Sequence, residues 1–256
     1  DNTDRAFVNI VGRWSYSGNG RPYLFTGVSP WLCLTVWFIM ELVIPILIII
    51  LGVLYGRLLK STVNWLNVDG FQIKNNDYKI EIFSVGSWLW SALSLQPMEG
   101  TIFALIAGIL FAISWIDFKT YQIPLLLIIV SSIVAIFGVL FKLTSLKSAI
   151  YGVIVGSIIP LALIGLTYLI TKRQGMGFGD IQLGFVLGVW LGPVRMALTL
   201  FGASLLSLVV WLILSGIKGF ERDRALPFAP YLAIAGLGTF VGSVYFPSLF
   251  HYLILY

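Results

Sequence analysis

The chain has 256 residues, 59% of them hydrophobic and only 11% charged, with a mean hydropathy of +0.96. A soluble domain is nearer half apolar and a quarter charged, so this composition reads as an all-α, polytopic helical bundle in a lipid bilayer. The formal charge of +5 needs no nucleic-acid partner, because cytoplasmic loops of membrane proteins collect Lys and Arg. One cysteine, Cys33, excludes an internal disulfide and a Cys-x-x-Cys metal site. The single histidine, His251, removes a His-based zinc centre as well. No metal site is expected.

Residues 1–30 are rich in Gly, Asn, Ser and Arg and read as a polar extracytoplasmic tail without the pattern of a cleavable signal peptide. Trp31 to Gly56 is the first apolar run, longer than the 20 or so residues a span needs. It carries Glu41 and a Pro45 expected to kink it. Residues 57–79 are polar and read as a cytoplasmic loop with a turn at Val68-Asp69-Gly70-Phe71. Either a small hairpin or an amphipathic piece on the membrane fits the rest of it. The remainder, 80–256, reads as a core of seven further spans. Ile80–Leu95 and Thr101–Ile116 form a tight hairpin about Gln96-Pro97-Met98-Glu99-Gly100. Spans follow at 121–141 behind Pro124, at Ala149–Ile170 with the close-contact pair Gly152 and Gly156, and at Ile181–Leu191, which stops at Gly192-Pro193. Val194–Ile217 and a last span near 231–246 bring the count to about eight.

Charge orients this arrangement. Arg57, Lys60, Lys74, Lys79, Lys119, Lys172, Arg173, Lys218, Arg222 and Arg224 collect on one face. The other face has Arg5, Arg13, Arg21, Lys142, Lys147 and Arg195. The richer face is expected to be cytoplasmic. Reading 80–116 as one bent span would spread the charges more evenly, and is set aside.

Two aspartates then fall at the cytoplasmic edge. Asp117 ends the helix before Phe118-Lys119-Thr120-Tyr121-Gln122-Ile123-Pro124, and Asp180 follows Gly175-Met176-Gly177-Phe178-Gly179. Acidic groups at membrane depth mark function by default. Singly, Asp180 could be a helix cap and Asp117 a solvated interfacial residue; two acids on one face, one inside Gly-x-Gly-Asp, are far more specific. A pair of carboxyls, one protonated and one ionised, can share and activate a water for peptide hydrolysis. Asp180, at a helix N-terminus, is expected to be mainly the ionised base, and Asp117, at a helix C-terminus, mainly the proton carrier. A coupled pair titrates jointly, so this is a preferred microstate. Gly175, Gly177 and Gly179 are expected to permit positive φ and close approach of an extended peptide. Gly184, Gly188 and Gly192 continue along one face, and the helix bearing Asp117 is the expected neighbour there.

At these residues the chain resembles the type IV prepilin peptidases, the Gly-x-Gly-Asp membrane aspartic proteases. Asp117 with Pro124 matches the family's first motif and Gly177-Phe178-Gly179-Asp180 its second. Pro227-Phe228-Ala229-Pro230 is similar to the lead-in to the family's final helix, and Tyr78-Lys79-Ile80-Glu81 to the stretch before its second. The resemblance, over roughly 78–246, implies an eight-helix bundle of a bacterial inner membrane. It implies that Asp117 and Asp180 are a catalytic dyad cutting basic leader peptides from prepilins or pseudopilins, after a glycine, at the cytoplasmic face. It also implies N-methylation of the new amino terminus from S-adenosylmethionine in many members; proteolysis itself takes no cofactor. The chain departs from the family in three places. Residues 57–79 lack the four zinc-binding cysteines many members carry, Gln182 stands where a lysine is common, and Leu125 where Asn or Asp is usual. These bear on substrate or methyl-donor contacts more than on the dyad. Presenilin-like proteases share Gly-x-Gly-Asp but have Tyr-Asp and Pro-Ala-Leu motifs that are missing here. An ion-coupled transporter would be expected to repeat its Gly-broken helix.

Overall fold

The computed structural model describes residues 30–172, 177–219 and 226–250. The side chains of 30–42, Cys33 and Glu41 among them, lie outside the described residues, as do Gly175, the cluster at 220–225 and His251. The chain divides into two units, residues 1–47 and 48–256. In the first, residues 30–47 are helical; the second contains the remaining elements and both aspartates.

Eight α-helices make up the described residues: α1 (Pro30–Leu66), α2 (Lys79–Ser94), α3 (Pro97–Thr120), α4 (Leu125–Leu140), α5 (Leu146–Val153), α6 (Ile159–Thr171), α7 (Phe178–Lys218) and α8 (Ala229–Tyr245). Four stretches are long and apolar enough to cross a membrane: Val43–Leu66, Pro97–Thr120, Leu146–Leu166 and Phe178–Ile217. Outward-facing residues such as Leu54, Leu58, Ile129, Ile133, Leu205 and Leu212 are apolar and exposed, which suits a lipid solvent and no other.

The expected segments are present, with two differences of extent. α1 does not stop at Gly56 but continues to Leu66, so half of the expected 57–79 loop is helix. Its continuation is held by Lys60, which is buried and donates to the carbonyls of Asn75 (3.0 Å) and Asp77 (2.7 Å) and to Glu81 Oε1 (3.4 Å). A lysine counted as a loop charge is therefore an internal clamp, its amine ringed by acceptors as a buried cation requires. The turn at Val68–Gly70 is a single 3-10 turn with Asn67 and Asp69 left-handed.

The second difference lies in Ala149–Ile170. α5 and α6 are joined by a π-turn, Ile154–Ile158, just before Pro160. Proline has no N–H and its ring crowds the carbonyl four residues back, and a wider turn relieves both.

α2 and α3 form the expected hairpin around Leu95 and Gln96. Phe83 stacks on Phe111 at 4.3 Å and Trp90 meets Phe103 at 4.7 Å, pairings that only antiparallel helices give. α7 breaks at Gly192, whose φ of 75° is open to glycine at little cost, and Pro193 follows. Its two arms fold back: Leu187 from the first and Thr199 from the second both lie against Gly236 of α8. Counting these arms separately, and α5–π–α6 as one, gives eight segments. The deep core is α3, where Ile106, Leu110, Ile113 and Ile116 are fully buried in a helix packed against α2, α4 and α8.

Candidate active site

Asp117 lies one turn before the end of α3, and Asp180 in the first turn of α7. Both are buried, at 4% and 8% exposure, and close enough for their charges to interact. The contact that joins their segments is apolar. Ile123, between Asp117 and Pro124, rests directly on Gly179, where any Cβ would press against it at 3.0 Å. The left-handed Tyr121 (φ 56°) ends α3 and turns the chain so that Ile123 can reach. Leu125 begins α4 immediately after Pro124.

Each carboxylate is met by one backbone N–H. Ala229 donates to Asp117 Oδ2 at 3.1 Å, and Gly177 to Asp180. Ala229 is the first residue of α8, followed by Pro230, so its N–H is one of the unpaired donors every helix start presents. Asp117 fills the role of a cap from 112 positions away. The expected contrast between a carboxyl at a helix N-terminus and one at a C-terminus is thereby weakened, since Asp117 also sits at a helix start, that of α8. Sequence reasoning missed Ala229; the signal available was a helix start carrying proline at its second position and no side-chain cap of its own.

The glycines act differently from expectation. Gly177 is extended (φ −71°, ψ 146°) and Gly179 is helical; neither uses the left-handed region. Their value is space, for the Asp180 carboxylate beside Gly177 and for Ile123 on Gly179. Gly175 lies outside the described residues. The glycines further along α7 do receive a neighbouring helix, but it is not α3. Gly184 and Gly188 pack against Gly156 and Gly152, and Gly192 against Ser148, so that a Cβ on either partner would land on backbone or on the Ser148 hydroxyl. The cause is complementary: two glycine stripes one turn apart can close on each other, whereas the Asp117 face of α3 offers Ile113 and Ile116. Ser157 in the π-turn adds a hydrogen bond to the Ile181 carbonyl at 3.1 Å, one residue beyond Asp180.

The polar segment after α1 reaches the same region. Gln122 donates to Asp69 Oδ2 at 2.6 Å, and Lys79 lies over the Trp115 ring at 4.4 Å. Among the described residues, no three of His, Cys, Asp and Glu gather as a metal cluster.

Residues 104–212 match the type IV leader peptidase family. Relatives named prepilin leader peptidase/N-methyltransferase include one from Aeromonas hydrophila, 33% identical over 57% of this chain and 51% of its own length. Another, from Pseudomonas putida, is 32% identical over 59% of this chain and 52% of its own. A third, from Legionella pneumophila, is 40% identical over 29% and 26%. The chain thus spans about half the length of the curated relatives it matches most extensively. No solved structure matches it. Asp117, Asp180 and the helices that carry them meet inside a region, 104–212, with the sequence pattern of the type IV leader peptidases.

Proposed function

We propose that this chain is a membrane aspartic endopeptidase that removes the leader peptide from type IV prepilins or pseudopilins at the cytoplasmic face of a bacterial inner membrane. Asp117 and Asp180 are its catalytic pair, and the observation that carries the reading is their joint burial at two helix starts, locked together by Ile123 on Gly179.

The chemistry needs one carboxyl ionised and one protonated. The ionised partner takes a proton from a water lying between them as that water attacks the scissile carbonyl. The protonated partner stabilises the developing oxyanion and then passes its proton to the leaving amine. The N–H groups of Ala229 and Gly177 each hold one carboxylate oxygen, leaving the other for the water. Held by two backbone donors rather than by mobile side chains, the carboxyls keep their positions between turnovers.

The relatives' printed names join the peptidase to an N-methyltransferase. Methylation of the newly made amino terminus is proposed as a second activity. S-adenosylmethionine serves there as methyl donor, and nothing in the hydrolytic step passes through it. Incubating the protein in lipid vesicles with a prepilin and weighing the products tests both. Leader release is expected for the native protein and for neither Asp117→Asn nor Asp180→Asn; a gain of one methyl group on the mature product reports the transferase. Leader release that persists in both variants would remove the dyad from the mechanism.

A further inference from the structure

At the end of the bundle away from Asp117 and Asp180, two charged side chains stand half-buried without a direct partner. Arg195 opens the second arm of α7, two residues after Pro193, and Glu99 lies in the first turn of α3. Each is near enough to feel the other's charge, yet neither joins the ion pairs of the described residues, which are Lys60–Glu81 and Lys79–Asp77. The guanidinium lies over the Phe240 ring, 5.6 Å from its centre. Among the described residues, the side-chain hydrogen bond made at Arg195 comes from the Thr199 hydroxyl and goes to the backbone carbonyl, which leaves the five guanidinium N–H donors unused. A cation and a carboxylate are thus brought together but stop short of contact. An ionised group within a membrane-spanning stretch marks function by default, and a half-buried guanidinium needs acceptors.

The surroundings set the depth. Phe240 stacks on Trp190 at 4.9 Å and meets Phe103 at 5.1 Å. Trp90, on the far side of Phe103, donates to the Tyr245 hydroxyl at 3.2 Å. Trp and Tyr gathered at one end of a membrane bundle mark the level of the lipid headgroups. Leu93, Met98 and Tyr245 are exposed there, and deeper in the bilayer the second arm of α7 presents Phe201, Leu205 and Leu212 to lipid. A head held at Arg195 therefore has an apolar wall for its tails.

We propose that Arg195 and Glu99 bind the headgroup of a zwitterionic phospholipid, the phosphate on the guanidinium and a primary ammonium on the carboxylate. A guanidinium matches phosphate through paired N–H···O bonds, and the carboxylate accepts from the ammonium in turn. Charge decides the class. Arg195 alone would hold any phosphate, inorganic or lipid-borne, but Glu99 repels a head that carries only negative charge. Phosphatidylethanolamine offers both signs; phosphatidylglycerol offers one. A water between the two side chains accepts from one or two of the guanidinium donors and leaves the rest without acceptors. The site shares no side chain with the aspartate pair, so it stands whether or not that pair is catalytic.

Native mass spectrometry of the full chain released from detergent tests this, with phosphatidylethanolamine, phosphatidylglycerol or inorganic phosphate added at one fixed ratio to protein. The unsubstituted chain is expected to retain one phosphatidylethanolamine about tenfold more strongly than phosphatidylglycerol. That ratio equals about 1.4 kcal/mol, within reach of a single charge-assisted hydrogen bond. Arg195→Gln is expected to lower the retention about tenfold. Glu99→Gln removes the repulsion and is expected to hold phosphatidylglycerol at least as well as phosphatidylethanolamine. That outcome is a swap rather than a loss, so it decides the matter even where Arg195→Gln fails to fold. Equal retention of the two lipids by the unsubstituted chain, or an unchanged preference in Glu99→Gln, overturns the assignment. Inorganic phosphate that displaces phosphatidylethanolamine at equal concentration overturns the headgroup and leaves a plain anion site. Retention untouched by either substitution, with a fall in Tm that Arg195→Gln/Glu99→Gln restores, shows a water-bridged ion pair instead.

Discussion

The crossing of α7 with the α5–π segment makes the sharpest demand on sequence, and Gly156→Ala is the change that probes it. A Cβ there would fall on the Gly184 carbonyl oxygen and within 3.2 Å of Met196 Cε. The methionine can yield, but the carbonyl belongs to helix backbone and cannot. Ordinary contact between such atoms is near 3.5 Å, so the two helices must part by on the order of 1 Å. Overpacking of this kind costs about 1–3 kcal/mol, which for a chain of this size lowers Tm by roughly 2–12 °C. Gly184 is one turn from Asp180, and if Asp180 acts as proposed a displacement of about 1 Å there is expected to reduce the rate about a hundredfold. Thermal unfolding in detergent gives the first quantity and prepilin cleavage the second. Gly86→Ala is the control, since nothing lies within 4 Å of its Cβ position. Equal Tm values for the two variants would refute the packing argument whatever happens to activity.

Other outcomes rest on the same geometry. Asp117→Asn and Asp180→Asn are each expected to reduce cleavage at least about a thousandfold, and the double variant to be little worse than either, because the pair acts as one unit; additive losses in single-turnover assays would contradict a shared water. Lys60→Met leaves Glu81 buried beside an apolar side chain and should cost about 3–5 kcal/mol in unfolding free energy, with Lys60→Met/Glu81→Met recovering much of it. A single variant as stable as one changed at the exposed Lys74 would show that the clamp carries no weight. Gln122→Ala removes only an exposed hydrogen bond to Asp69 and should change kcat/KM by less than about tenfold, the equivalent of the 0.5–1.5 kcal/mol such bonds contribute.

Much of this was legible in the residues because a bilayer restricts the choices. Apolar runs, prolines and charge asymmetry placed nearly every span, and the break at Gly192-Pro193 was readable because one residue supplies positive φ and the next cannot continue a hydrogen-bond ladder. Failures came where a residue's meaning depended on something distant. Lys60 looked like a loop charge because its three acceptors lie 15–21 positions away. Pairing Gly184 and Gly188 with Gly152 and Gly156 required choosing among several helices with small residues, and nothing local makes that choice. Ala229 carries no chemistry in its side chain at all; its contribution is an N–H exposed by where α8 begins.

The Asp117–Ala229 link also has a temporal side. Polypeptides emerge amino-terminus first, so α3 is laid into the bilayer while the stretch containing Ala229 is still unmade. Until α8 arrives the aspartate has no amide to lean on. The proposed carboxyl pair is therefore complete only once α8 has followed α3 into the bilayer, so its assembly is ordered by the direction of synthesis.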